Sequence, residues 1–153
     1  MGVFGRVLGI IVLVFVIFQF IPYGKEKTNP KVDKALEIKA PENVMKLFKR
    51  SCYDCHSNET KWPWWSYVAP ASWSISDDVK GGRAALNFSI WKKYSPKKQQ
   101  QEKIDIYRTV AGPMPLPQYT WLHKHTKLTK DEIKTIREWA SNGKGFIKTS
   151  VRQ

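Results

Sequence analysis

Apolar residues form one unbroken run at the start of the chain and short helical stripes after it. The run covers residues 3–21 and is interrupted only by Arg6 and Gln19. About 19 residues are just enough to cross the hydrocarbon core of a bilayer as a helix. A cleaved signal peptide would end in small residues, whereas residues 18–23 are bulky apart from one proline. We therefore predict an uncleaved transmembrane anchor in residues 1–22.

The next segment, residues 23–40, separates this run from the striped part of the chain. It is charged, contains Pro30 and shows no apolar period, so we predict a linker. Residues 41–153, which contain the short apolar stripes typical of helices, are predicted to form one domain. Its length of about 110 residues is enough to bury a core.

Apolar stripes and capping residues predict four helices in this domain. They run from near Pro41 into Cys52, over 71–86, from Ser95 and Pro96 to Gly112, and from Thr129 onward. The last helix has the clearest signals, because Thr129 and Glu132 can form a capping box and Gly143 follows the apolar stripe. No alternating strand pattern occurs. The predicted fold class is all-α.

Basic residues outnumber acidic residues by two to one. The chain has 26 Lys and Arg against 13 Asp and Glu, a formal net charge of +13. Such a surplus favours nucleic acid, an anionic membrane or an acidic protein as a partner. The basic residues are spread over the linker, the helices and the tail, so nucleic acid is not predicted. A docking surface for an acidic protein and a generally solvated basic surface both stay open.

The two cysteines, Cys52 and Cys55, lie in the run Cys-Tyr-Asp-Cys-His. This spacing is the attachment signature of a c-type haem. Two thiols separated by two residues can add to the two vinyl groups of one porphyrin. His56 can then bind the iron as a neutral imidazole. We predict one covalently bound haem c, with Cys52 and Cys55 as the thioether residues.

Two other uses of the motif are weighed against haem. A redox dithiol is typical of a βαβ setting, and no strand pattern surrounds these cysteines. A zinc site would need His123 and His125, which are two positions apart rather than the usual three to five. The spacing favours haem over both.

The sixth ligand of the iron has several candidates. Met114 lies in a proline-stiffened segment between two predicted helices, and a rigid segment can hold a thioether against iron. Thioether ligation raises the reduction potential. His123 and His125 are the alternatives, as is an open sixth position. Met45, in the helix before the motif, is better explained as a core residue.

Seven tryptophans are present in this short chain. Large aromatic rings can wall a haem and exclude water from its edge, or they can fill a small helical core. Trp62, Trp64 and Trp73 are the predicted haem-pocket residues. The first two belong to the run Trp-Pro-Trp-Trp-Ser-Tyr, which predicts a loop.

Several of these segments resemble a known family, the haem-binding domain family of small membrane-anchored bacterial c-type cytochromes. The similar segments are residues 19–24, 52–64, 68–73, 78–83, 86–91, 114–115 and 127–129, together with Tyr119 and His123. The resemblance implies a periplasmic, monohaem, cytochrome c-like domain with His56 as the proximal ligand. The Met-Pro pair resembles the distal methionine turn of class I cytochromes c, which supports Met114. Tyr119 becomes a haem-pocket candidate.

The expected function is single-electron transfer by a membrane-tethered cytochrome. The expected partners are respiratory or dehydrogenase proteins with acidic docking surfaces. No set of nucleophile, base and orienting residue stands out, so no enzyme activity is expected. The alternative is a haem-based sensor or peroxidase-like protein whose sixth iron site is open or displaceable.

The membrane topology contains a conflict. More basic residues follow the anchor than precede it, which by the positive-inside rule would keep the domain in the cytoplasm. Haem of the c type is attached on the outer side of the bacterial membrane, and long domains are exported largely regardless of charge. We therefore predict a single-pass inner-membrane protein with its haem domain in the periplasm.

Overall fold

Helices make up the regular structure of the chain. The computed structural model describes residues 2–25 and 27–143, and these residues contain no strand. Their α-helices are α1 (Val3–Phe20), α2 (Glu42–Ser51), α3 (Tyr53–His56), α4 (Ala71–Ala85), α5 (Pro96–Thr109), α6 (Pro117–Leu122) and α7 (Lys130–Ala140). Short 3₁₀ turns cover Trp64–Tyr67, Phe88–Lys93 and Lys124–Thr126. The all-α prediction is confirmed. Residues 144–153 of the predicted domain lie outside the described residues.

The predicted capping residues mark the helix starts. The Ser95 hydroxyl accepts a backbone hydrogen bond at 3.3 Å, and Pro96 begins α5. Thr129 and Glu132 form the predicted capping box of α7. The sequence did not predict α3, α6 or the 3₁₀ turns, because segments of three to six residues are too short for a periodic signal.

A row of aromatic rings forms the centre of the core. Phe48 of α2 and Phe88 are almost fully buried and stack with their ring centroids 4.8 Å apart. Tyr53 stacks on the other side of Phe88 at 5.5 Å, and Trp139 of α7 meets Phe48 edge-on at 5.2 Å. Trp139 therefore has a core role. This core lies directly behind α3, so the motif is mounted on the best-packed part of the domain.

An ion pair joins α2 to α7 beside this core. Both terminal nitrogens of Arg50 donate to the Glu132 carboxylate at 2.8 Å. The Arg50 guanidinium, together with the backbone amide of Thr129, lowers the pKa of Glu132 to about 2. Arg50 lies two residues before Cys52, so this pair fixes the end of the helix that leads into the motif.

The segment predicted as a linker lies on the surface of the domain. Arg83 of α4 donates hydrogen bonds to the Thr28 carbonyl and the Asn29 side chain, both at 2.8 Å. The Ile38 amide donates to the Phe88 carbonyl at 2.9 Å, and Ile38 is buried. Residues 27–40 contain no helix or strand, as predicted. They are nevertheless held by these contacts and do not form a free tether.

The N-terminal helix differs from the rest of the described chain in its exposure. Among the described residues, α1 is the one helix that is long and apolar enough to cross a membrane, judged by length and composition. None of its residues is buried in the protein. Its last turn contacts the domain.

Candidate haem-binding site

The motif residues line a large cavity. Cys52 directly follows α2, and Cys55 and His56 lie in the single turn of α3. The cavity has a volume of about 610 Å³ and a mainly apolar lining. Its other walls come from α4, α5 and the segment that contains Met114. This volume is within the range of cofactor pockets.

Hydrogen bonds fix the orientation and the tautomer of the His56 ring. Its Nδ1 lies 3.0 Å from the Gly82 carbonyl oxygen and 3.1 Å from the Leu86 carbonyl oxygen. Carbonyls only accept, so Nδ1 carries the proton and Nε2 keeps its lone pair. Burial lowers the pKa of His56, which favours the neutral ring. A neutral imidazole whose second nitrogen is hydrogen-bonded is the usual metal-ligating arrangement.

Close packing of α4 against α3 depends on Gly82. A Cβ at this position would lie 2.5 Å from the Cys55 carbonyl oxygen and 3.0 Å from its Cβ. Only glycine allows this approach, which places the Gly82 carbonyl within reach of His56. No role is predicted for Gly82 from sequence, because glycine inside a predicted helix ordinarily only lowers helix stability. Its glycine-glycine context was the one available signal for a close helix contact.

The surroundings of the two thiols do not favour a redox dithiol. Cys52 and Cys55 are not joined in a disulfide, and burial raises the pKa of each thiol to about 12. A redox dithiol needs the opposite shift, toward a stable thiolate. No group of three or more metal-ligating side chains occurs in residues 2–25 and 27–143. Neither the dithiol nor the zinc interpretation gains support.

Met114 lines the same cavity as His56, whereas His123 does not. The Met114 amide donates to the Thr109 carbonyl at 3.0 Å, which fixes the segment just after α5. The His123 ring stacks on Tyr119 with centroids 4.6 Å apart and lines a second cavity of about 280 Å³. His125 lies beside it, at 6.2 Å between ring centroids. Of the candidate axial residues, the structure thus brings Met114 and His56 to one cavity.

A hydrogen bond connects the motif to the opposite wall of the cavity. The Tyr119 hydroxyl on α6 donates to Oδ2 of Asp54 at 2.7 Å. The other carboxylate oxygen of Asp54 accepts from the Lys61 amide at 3.0 Å. Burial and the carboxylate raise the pKa of Tyr119, so it stays a donor. Asp54 occupies a variable position of the Cys-x-x-Cys-His pattern, which is why the motif alone did not point to it.

The three predicted tryptophans do not line the His56 cavity. The Trp62 indole donates to the Asn29 side chain at 3.3 Å, and Trp64 is 78% exposed. Trp73 packs against Phe18 of α1 with ring centroids 5.2 Å apart. Of the predicted haem-pocket residues, Tyr119 is the one that lines this cavity.

The charges around the cavity differ from the charge of the whole chain. Five carboxylates and one lysine line it: Asp54, Asp77, Asp78, Glu102, Asp105 and Lys98. Nζ of Lys98 lies 2.5 Å from Oε1 of Glu102. The pKa of Asp78 is raised, mainly because the carboxyl group is partly buried. The lining is therefore acidic in a chain that carries +13 overall.

Together, the helical fold, the cavity and the His56 geometry define a haem-binding protein. A family model described as a haem-binding domain matches residues 13–142. The chain belongs to this haem-binding domain family. No curated protein and no solved structure matches it.

Proposed function

We propose that this protein is a membrane-tethered monohaem c-type cytochrome that carries single electrons. The observation that carries the proposal is the geometry of His56. Its Nδ1 is committed to two backbone carbonyls, and its ring lines a cavity with Cys52, Cys55 and Met114. A protein that needed only a structural histidine would gain nothing from placing it beside two thiols and a thioether.

Each residue has a distinct role in this proposal. Cys52 and Cys55 would hold the haem covalently, His56 would bind the iron through Nε2, and Met114 would bind it from the other side. When bound, haem supplies one-electron iron chemistry. The apolar walls exclude water, and Ile106 of α5 and Val110, which directly follows α5, are buried members of those walls. Two protein ligands leave no iron position for a substrate, so we propose no enzyme activity.

The proposed location follows from α1 and from the cofactor. The helix would span the bacterial inner membrane once, as its length and apolar composition allow. The haem domain would face the periplasm, where c-type haem is attached.

The proposed partners are respiratory or dehydrogenase proteins. The basic exterior favours a partner with an acidic surface. The acidic lining of the cavity would repel such a surface at the cavity itself. We therefore expect docking through the basic exterior beside the cavity.

Optical spectroscopy of the full-length protein tests the proposal. The purified protein, made with haem-attachment machinery, should be low-spin when oxidised and show the weak far-red iron–thioether band. Reduction should leave it unreactive toward carbon monoxide. Met114→Ala should lose the far-red band and bind carbon monoxide, because it opens the sixth site.

Two matched variants complete this test. Met45→Ala removes a methionine that packs against the core, and His123→Ala removes the alternative ligand. Both should keep the far-red band. Loss of the band in His123→Ala alone would make His123 the ligand instead. A high-spin wild-type protein that takes up carbon monoxide at once would instead favour the sensor or peroxidase-like alternative.

A further inference from the structure

The end of α1 is joined to the haem domain by paired hydrogen bonds. Nε2 of Gln19 donates to the Ala69 carbonyl at 3.1 Å, and the Ala69 amide donates to Oε1 of Gln19 at 3.0 Å. Beside this pair, Phe18 packs against Trp73 of α4. Gln19 is a polar residue near the end of an apolar helix, and these bonds explain its presence there.

The chain that leaves α1 is pressed against the first turns of α4. Gly24 has φ +69°, and a Cβ there would lie 2.6 Å from the Ser72 carbonyl oxygen. The Tyr23 hydroxyl donates to Oδ1 of Asp77 at 2.5 Å, and Lys27 donates to the Ser72 carbonyl at 3.1 Å. We call this set of contacts, from Phe18 to Lys27 against Ala69 to Asp77, the anchor joint.

Exposed aromatic side chains lie next to the anchor joint. Trp64 and Tyr67 are the first and last residues of a 3₁₀ turn, and they are 78% and 46% exposed. Tyr67 precedes Ala69 by two residues, so their Cα atoms are at most about 7 Å apart. Nζ of Lys27 lies 6.0 Å from the centroid of the Tyr67 ring. Tyr67 therefore lies beside the residue that receives Gln19, and Trp64 is at the other end of the same 3₁₀ turn.

The end of α6 extends this exposed surface. Leu122 lines the smaller cavity together with Pro63 and Ala71, which flank the 3₁₀ turn and begin α4. Trp121 and Leu122 are 77% and 59% exposed. We call the four residues Trp64, Tyr67, Trp121 and Leu122 the joint-side patch. Large apolar side chains gathered on one exposed surface mark an interaction site.

We propose that the joint-side patch lies in the headgroup region of the same bilayer that α1 spans, so that the domain rests on the membrane in one orientation. The inference rests on the proposed membrane anchorage. Gln19 is in the last turn of the apolar helix, and the headgroup region is about 5–8 Å thick on each side. A surface fixed this close to the helix end reaches that region. Trp and Tyr are the residues that favour it.

Basic residues at the same place support a lipid partner rather than a protein partner. Lys25 and Lys27 directly follow α1, and Lys80 lies 5.6 Å from the Tyr23 ring. Lysines at this level attract anionic headgroups. The anchor joint is also close to the cavity. Asp77 belongs to both, and Gly82 is five residues beyond it on α4, about 8 Å along that helix.

Cysteine accessibility in lipid nanodiscs tests the proposal with the full-length holoprotein. Cys52 and Cys55 would be consumed by haem attachment, so one new cysteine can be labelled with a water-soluble maleimide. The test variants are Trp64→Cys and Tyr67→Cys, each of which keeps the rest of the patch. The control is Lys134→Cys on α7, where the side chain is 74% exposed. Each variant must keep the wild-type haem spectrum. The labelling rate of each cysteine is divided by the rate measured for the same variant after denaturation.

The proposal expects labelling at positions 64 and 67 to be several-fold slower than at position 134, in discs that hold one chain each. Equal rates in chains that migrate with the discs would overturn it while leaving the anchorage intact. Chains that do not migrate with the discs would instead refute the anchorage of the proposed function. If labelling were slow only in discs that hold two chains, the joint-side patch would be covered by a second copy of the protein and not by lipid. That result would also overturn the proposal.

Discussion

The two walls of the haem cavity are fixed in different ways. On the His56 side, backbone atoms set the geometry, since two carbonyls hold the ring and Gly82 leaves no space for a side chain. On the Met114 side, the segment is held by backbone hydrogen bonds from Gly112 and Met114 to the Thr109 carbonyl and by the Tyr119–Asp54 contact. Met114 itself is half-buried. In the proposed cytochrome, His56 would therefore be fixed by backbone contacts, whereas the position of Met114 would depend on how firmly its segment is held.

The largest effect is expected from a methyl group on the proximal wall. Gly82→Ala would place a Cβ 2.5 Å from the Cys55 carbonyl oxygen, so α4 must move away from α3. Such overpacking costs about 1–3 kcal/mol or more of unfolding free energy. The movement also separates His56 from its carbonyl acceptors. Thermal unfolding and covalent haem content measure the two losses.

A glycine on the other wall provides the matched control. Gly112 lies in the turn before Met114, and a Cβ there has no atom within 4 Å. Gly112→Ala should therefore keep both the melting temperature and the haem content. If Gly82→Ala behaved like Gly112→Ala, the proximal wall would be no tighter than the distal one, and the comparison would be wrong.

A smaller effect is expected from the hydrogen bond that holds the distal wall. Tyr119→Phe leaves the ring but removes the donor to Asp54. The acceptor of this bond is a carboxylate but the bond is only half-buried, so its loss should cost about 1.5 kcal/mol, the lower end of the range for such bonds. The segment with Met114 should loosen, which weakens the far-red thioether band and speeds carbon monoxide binding. Stopped-flow mixing of the reduced protein with carbon monoxide measures the change.

Tyr53→Phe is the corresponding variant on the proximal side. Its hydroxyl donates to Glu37 at 3.0 Å, so the variant also removes a bond from a tyrosine to a carboxylate. It should lower stability by a similar amount and leave the far-red band unchanged, because the Tyr53 hydroxyl bonds Glu37 and not the segment that carries Met114. A similar loss of the band in both variants would mean that general destabilisation, rather than the distal wall, controls Met114.

Sequence patterns predicted those features that depend on residues close together in the sequence. Helices α2, α4, α5 and α7 follow from stripes and caps, and the Cys-x-x-Cys-His motif supplied the cysteines and His56. The sequence also suggested Met114, which the fold places in the same cavity. These features are encoded within about 15 residues, where propensity and capping act directly.

The features that were not predicted depend on packing between residues far apart in the sequence. Sequence patterns carry little information about such packing. His123 and Met114 are close in sequence, but α6 turns His123 toward a different cavity. Residues 23–40 are predicted as a linker from composition, yet Arg83 holds Thr28 and the buried Ile38 bonds Phe88, which keeps this part of the segment on the domain. The glycine pair that includes Gly82 gave only a weak signal of its contact with Cys55, since glycine inside a helix more often just lowers helix stability.

The smallest effect concerns the ion pair behind the proximal wall. Glu132→Gln removes the charge that pairs with Arg50, and the pair is about a quarter to a third exposed. We expect a loss of about 1 kcal/mol of unfolding free energy at pH 7, reduced from the ideal value by solvent. The pKa of Glu132 is lowered to about 2 in the folded protein, so its contribution is complete above the ordinary pKa of 4.5.

Acid should abolish the difference between Glu132→Gln and wild type. As the pH falls from about 4.5 toward about 2, the carboxylate gains its proton and the difference in unfolding free energy should shrink to zero. Urea unfolding in micelles at pH 7, 5 and 3 measures it. Glu138→Gln is the control, because its contact with Lys134 is long, at 3.9 Å, and exposed. A difference for Glu132→Gln that stayed constant with pH would show that packing, and not charge, fixes the end of α2 behind the proximal wall.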